Sequence, residues 1–304
     1  MPGQNFKIAI CVSGLTRTWN DLIINTDRSG IQPSMARMMK DLQERGHEVH
    51  MYGHYWDYDT TPLPPIDQEF KALRSTNQDA ELRAWVAEDI MGRAVLNDGR
   101  SLRDLKHFKQ QYNLDTVEKL NEWILDETVD AIAQYFQNCL CMEQIDWSEN
   151  YDLIIRTRWD TVIEIPGKID KVVNFEHDIN FLKNFMYNYL EAFAHGKWPD
   201  PDNKRPLLLL PSTGYVQYSP KLENRFYCHD QPEDIFFVFK NKEGNQFLQS
   251  LKTDRWRHNA ERVIGELSLD QRCGGHNFWN TIFQITGLPA AYGLPGIFSL
   301  CRSV

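Results

Sequence analysis

Apolar residues fall along the chain in two rhythms, and each predicts a different element. Residues 7–12 (KIAICV) form a short continuous apolar run, the mark of a strand buried on both faces. In 33–45, Met35, Met38, Met39 and Leu42 recur at helical spacing ahead of Gly46, a natural stop, so this stripe reads as the core face of a helix. Residues 48–52 predict a second strand, ending in Gly53-His54-Tyr55-Trp56-Asp57. Strand, helix, strand implies a parallel pair with a right-handed crossover. After a Pro-rich loop at 57–65, amphipathic helices are predicted over 69–75, 79–92, 102–112 and 115–144. In the last of these, Val129, Ile132, Ala133, Phe136 and Leu140 share a face that points at the sheet.

Leu153, Ile154 and Ile155 predict a further buried strand. Beyond the Pro166-Gly167 break, the pattern allows a short strand within 171–179 and a helix over 181–193. An exposed connection at 195–206 follows, then short strands at 207–210 and 213–219. The basic run 252–262 reads as a solvated helix face, 278–285 as an amphipathic helix, and 288–304 as irregular.

Polar chemistry gathers where apolar runs stop. The strand at 153–155 runs into Arg156, Thr157, Arg158, Trp159 and Asp160, and alternation puts Arg156, Arg158 and Asp160 on one face. Two guanidinium groups and a carboxylate at a strand's carboxyl end suit an anionic ligand, with or without a metal; a surface ion-pair ladder is the competing reading. The first strand similarly runs into Ser13-Gly14-Leu15-Thr16-Arg17. Glycine there lets backbone amides approach a phosphate, although an ordinary strand-to-helix turn has the same composition. Asp230, Glu233 and Asp234 stand before the aromatic run 235–239, where a carboxylate serves as a general base or as a helix cap. His50 and His54 read as lining a cleft, and His276, after Gly274-Gly275, as a ligand neighbour or a cap.

Composition narrows the classes. The chain has 304 residues, 42% of them hydrophobic, enough for one large domain or two modest ones. No apolar run of membrane-spanning length and no signal-peptide pattern is present, so a cytoplasmic protein without membrane contact is expected. Six scattered cysteines favour a reduced compartment. Cys139 and Cys141 with Cys228-His229 offer a zinc reading, but without CxxC spacing. A net charge of −9 leaves no broad footprint for nucleic acid; Lys252, Arg255, Arg257 and Arg262 are the one candidate basic strip.

Taken together, KIAICVSGLTRTW, HEVHMYGHYWD and YDLIIRTRWD, with PEDIFFVF further on, resemble the glycosyltransferases of bacteriophages, large DNA viruses and bacterial surface-polysaccharide clusters. The resemblance implies a single GT-A-like α/β domain with a mostly parallel central sheet, its Rossmann-type N-terminal half flanked by helices. Residues 1–57 would form the nucleotide-binding unit, 58–150 a helical insertion, and 151–304 the phosphate or metal strand end and the acceptor half. It implies that Ser13, Gly14 and Arg17 contact the nucleotide, with Arg156 and Arg158 at the phosphates. Asp160 would take the metal-binding place of an Asp-x-Asp pair, holding Mn²⁺ or Mg²⁺. Arg158 stands where the first Asp of that pair would be, and a guanidinium can neutralise a diphosphate in a metal's place.

The reaction implied is sugar transfer from a nucleoside diphosphate sugar, a UDP-sugar by preference, to a hydroxyl of a glycan or of a hydroxymethylated base in phage DNA. In an inverting reaction Asp234, or next Asp230, would take the acceptor proton; a retaining reaction fits equally. Trp56, Trp159 and Trp198 would stack on rings. Two readings from other classes stand beside this one: a non-catalytic nucleotide or glycan reader on the same scaffold, and a structural virion component.

Overall fold

The computed structural model describes residues 5–14, 34–56, 70–75, 79–87, 116–158, 161–164, 187–188, 190–195, 208–211, 217–218, 226–227, 236–240, 256–267, 275–286, 290–294 and 297–300. The chain begins with β1 (Lys7–Ser13), α1 (Ser34–Glu44), β2 (Glu48–Trp56), β3 (Phe70–Ser75), α2 (Asp79–Trp85) and α3 (Val117–Glu143). It continues with β4 (Leu153–Arg158), β5 (Thr161–Glu164), β6 (Leu208–Pro211), β7 (Gln217–Tyr218), β8 (Phe226–Tyr227) and β9 (Phe236–Lys240). The last elements are α4 (Trp256–Glu266), α5 (Gly275–Thr286), β10 (Ala290–Leu294) and β11 (Ile297–Leu300).

Seven strands form one mixed sheet in the order β10-β6-β9-β4-β1-β2-β3. From β4 to β3 every pairing is parallel; β9 runs antiparallel to both neighbours, and β10 is parallel to β6. Two small antiparallel pairs, β5 with β11 and β7 with β8, lie outside it. The architecture is therefore α/β with a mostly parallel sheet and flanking helices. No helix among the described residues is long and apolar enough to cross a membrane.

Burial on both sheet faces explains the apolar runs. Ala9 and Cys11 of β1, Tyr52 of β2, Ile154 of β4 and Phe237 and Phe239 of β9 join one buried cluster with α3. Ile8, Ile10 and Val12 alternate onto the opposite face and are equally buried. Helix α3 is the expected 115–144 helix, begun by Thr116, whose hydroxyl accepts from the Lys119 amide at 3.2 Å. Its inner face also meets α2, α4 and α5 through Leu82, Trp256, Phe278 and Trp279. Helix α1 ends as the sequence suggests: Gly46 has φ +92°, a left-handed conformation that costs glycine little, and its amide donates to the Gln43 carbonyl at 2.8 Å.

Two expectations are corrected here. Residues 69–75 are not a helix: Phe70–Ser75 is the edge strand β3, paired with β2 from Met51↔Phe70 to Trp56↔Ser75. Six residues are too few for periodicity to separate helix from strand, and the open edge of β2 supplied the partner. The region 288–304 is not simply irregular, since β10 pairs with β6 and β11 with β5, both far upstream. Long-range pairings of that kind leave little local pattern. The readings at 57–65, 102–112, 171–179 and 196–206 lie outside the described residues.

A chain of hydrogen bonds ties β2 to the start of β4 across β1. His50 Nδ1 lies 2.6 Å from the Tyr151 hydroxyl, which lies 2.7 Å from the Tyr52 hydroxyl. Glu48 sits 3.2 Å from His50 Nε2, so in the neutral ring Nε2–H donates to Glu48 and Tyr151 donates to Nδ1. Burial, and then the Tyr52 hydroxyl, push the Tyr151 phenol up, so it stays a donor. The side chains of β1 on this face, Ala9 and Cys11, are small enough for the two phenols to meet over them. Tyr151→Phe removes the hydroxyl shared by the buried Tyr52 and the half-buried His50, and urea unfolding should show a loss of about 1 kcal/mol; an unchanged midpoint would mean the hydrogen-bonded chain contributes nothing.

Candidate functional site

The strand order brings the sequence motifs to one place. From β1 the chain steps outward through β2 and β3, then returns through α3 to β4 on the other side of β1. The carboxyl ends of β1 and β4 therefore flank the point where the winding reverses, the place where open α/β sheets bind ligands. Ser13 is in register with Arg158 on one side and His54 on the other. Alternation puts His54, Ser13 and Arg158 in a single row on the α3 face, one step beyond the row Tyr52, Cys11, Arg156 and Phe237.

Burial separates a floor from a rim. Ser13, His54 and Arg156 are buried, whereas Gly14 and Arg158 are half-buried. Gly14 has φ +120°, and a Cβ placed there would meet no atom within 4 Å. Among the described residues nothing crowds that position, so conformation rather than crowding calls for glycine. The Arg158 amide donates to the Thr161 hydroxyl at 3.3 Å, which links the end of β4 to the start of β5.

Arg156 does not belong to a surface ion-pair ladder. At 1% exposure, its guanidinium carbon lies 5.2 Å from the Phe237 ring and 5.1 Å from the Trp279 ring, so the cation is wedged between two aromatic faces. Arg156 thus holds its positive charge within the core, one residue pair inward of the half-buried Arg158 on the same face. Burial pulls the His54 imidazole down to about 4, which makes it a neutral floor group at ordinary pH. Burial pushes the Cys11 thiol well up, and its hydrogen bond with Cys141 adds to this, so neither a thiolate nor a metal ligand is offered there.

Helix geometry removes the zinc reading of Cys139 and Cys141. Both are buried in α3, where residues two apart point to different sides. Cys141 donates to the backbone carbonyls of Tyr52 (3.3 Å) and Val12 (3.6 Å), while Cys139 contacts Tyr135. Among the described residues no three His, Cys, Asp or Glu side chains gather as a metal site.

Of the predicted site residues, Ser13, Gly14, Arg156 and Arg158 converge. Arg17, Asp160, Asp230 and Asp234 lie outside the described residues, as do Trp159, Trp198, Cys228 and His229. Strand β9 begins at Phe236 opposite Thr157, so the chain enters it at the carboxyl end of β4, and the acidic stretch immediately precedes that entry. His54, read from the sequence as lining a cleft, lies at this end beside Ser13, whereas Thr161 is what sequence reading missed. A threonine three residues after Arg158 was its signal. Of the basic strip, Arg257 and Arg262 sit on α4 with Glu261 and Glu266 exposed beside them, so its charge is mixed; Lys252 and Arg255 lie outside the described residues. No protein-family model matches the chain, and no curated protein is significantly similar to it.

Proposed function

We propose that the protein is a glycosyltransferase that moves a sugar from a nucleoside diphosphate sugar, a UDP-sugar by preference, to an acceptor hydroxyl. The observation that carries this is the pairing of Ser13, which Gly14 follows, with Arg158 at the β1/β4 switch point, next to the buried Arg156. A glycine backbone and a half-buried guanidinium at that point match a diphosphate in charge and shape. The sheet supports the GT-A-like side of the reading, with a parallel Rossmann-type half continued by a mixed one.

Sugar transfer expels a diphosphate while positive charge builds at the anomeric carbon, so fixed cations at the leaving group are the main demand. Arg158 forks onto the departing phosphate oxygens, and Arg156 adds to the field from within the core. Ser13, Gly14 and Arg17 hold the nucleotide. Asp160, beyond β4, is the proposed carboxylate for a Mn²⁺ or Mg²⁺ ion. In an inverting reaction Asp234, then Asp230, is the proposed base; both precede β9 in the sequence. The acceptor is proposed to be a glycan: the mixed charge of α4 gives a DNA backbone little to hold.

The test is a thermal-shift panel of nucleoside diphosphates and their sugars. A ligand at a hundred times its dissociation constant adds about 2.7 kcal/mol of stability. Arg158→Ala should weaken the stabilising diphosphate at least about tenfold, the loss of a charge-assisted contact worth about 1.5–3 kcal/mol. If no diphosphate shifts the wild-type protein, the transferase reading falls. Slow hydrolysis of the donor without acceptor separates an enzyme from a reader that only binds.

A further inference from the structure

The end of β4 that carries Arg158 is held from outside the main sheet. Thr161 is the first residue of β5, which pairs with β11 in the register Thr161↔Leu300 through Glu164↔Ile297. Its side chain is buried, with 0% exposure, and its hydroxyl accepts the Arg158 amide at 3.3 Å. That amide is the last of β4, and β1 opposite it has also reached its last residue, Ser13. At this point the chain leaves one sheet for another, and a side-chain hydroxyl stands where ladder bonds stop. Hydroxyl-to-backbone bonds of this kind set local chain direction.

We propose that Thr161 is the positioning residue of the anion site: clamped by β11, its hydroxyl fixes the backbone from which Arg158 meets the ligand. The inference rests on the reading of the β1/β4 crevice as a diphosphate site. Thr161 touches no ligand itself and acts through Arg158. The aim of a guanidinium toward two phosphate oxygens depends on the backbone that carries it, so loosening that backbone costs affinity even where the fold is intact.

The experiment measures binding of inorganic pyrophosphate, and of whichever nucleoside diphosphate stabilises the protein, by calorimetry. It uses the wild-type chain, Thr161→Val, Thr161→Ser, Arg158→Ala and the double variant Thr161→Val/Arg158→Ala. Valine keeps the shape and removes the hydroxyl; affinity should fall about fivefold to tenfold, the equivalent of one hydrogen bond. Serine keeps the hydroxyl and should stay within about twofold of wild type. In the Arg158→Ala background the valine change should have no further effect, because the group it positions is gone. Exchange of the Arg158 amide with solvent should quicken in Thr161→Val and not in Thr161→Ser. If Thr161→Val lowers stability but leaves affinity unchanged, or if its effect adds in full to that of Arg158→Ala, the positioning role is overturned and the crevice stands. If the wild-type chain binds neither pyrophosphate nor any diphosphate, the crevice reading and the positioning role fall together.

Discussion

Arg156→Ala is expected to destabilise the protein by about 3–5 kcal/mol, the range for truncating a large buried side chain. The guanidinium fills the space between Phe237 and Trp279, and Trp279 in turn packs on Tyr135 and Phe283. Removing it opens a cavity at the junction of β4, β9, α3 and α5, where rings cannot collapse without shifting helices. Arg156→Met should behave differently. Its apolar stem restores much of the volume, so the loss should be clearly smaller than for alanine. The same methionine removes the charge held within the core, so pyrophosphate affinity should fall while stability holds. Urea unfolding of both variants, with calorimetry on the second, separates packing from electrostatics. An alanine variant as stable as wild type would show that the wedge does not support the core; a methionine variant with unchanged affinity would remove Arg156 from the site.

Acid should destabilise the protein through His54 before its carboxylates titrate. Buried and neutral, the folded imidazole has its pKa pulled down to about 4, whereas an unfolded histidine titrates near 6.5. Above that unfolded value neither state binds the proton and His54 costs nothing. As pH falls from about 6.5 toward about 4 the unfolded state binds it first, and stability drops with pH. The penalty reaches about 2 kcal/mol at pH 5 and about 3 kcal/mol once both states are protonated. His54→Gln cannot take up a proton there, so it should be the less stable protein at pH 7.5 and lose ground more slowly on acidification. Unfolding of the pair from pH 7.5 to 4.5 reads the difference directly. A constant gap across that range would mean that His54 does not exclude the proton when folded.

Local order was written plainly wherever one element carried its own signal. KIAICV and the run Leu153–Ile155 read as strands because both their faces had to be apolar, and α3 read as a helix because Ile132, Phe136 and Leu140 recur at its period. The segment FKALRS misled: its six residues fit a helix turn as well as a strand, and only the open edge of β2 chose between them. The C-terminal strands were hidden for a related reason, since their partners lie far upstream.

The candidate site divides along the same line. By itself the sequence determined that arginines follow a buried strand and that glycine follows another, because composition at the end of an apolar run is local. Only the tertiary structure decided that the two ends are neighbours, since β1 and β4 become adjacent when the chain reverses around β1. It also decided the unequal fates of the two arginines. Spacing made Arg156 and Arg158 equivalent members of one face, but Phe237 of β9 and Trp279 of α5 close over the first, while the second stays half-buried. Burial separates the two because it depends on what packs above a residue, and that comes from elsewhere in the chain.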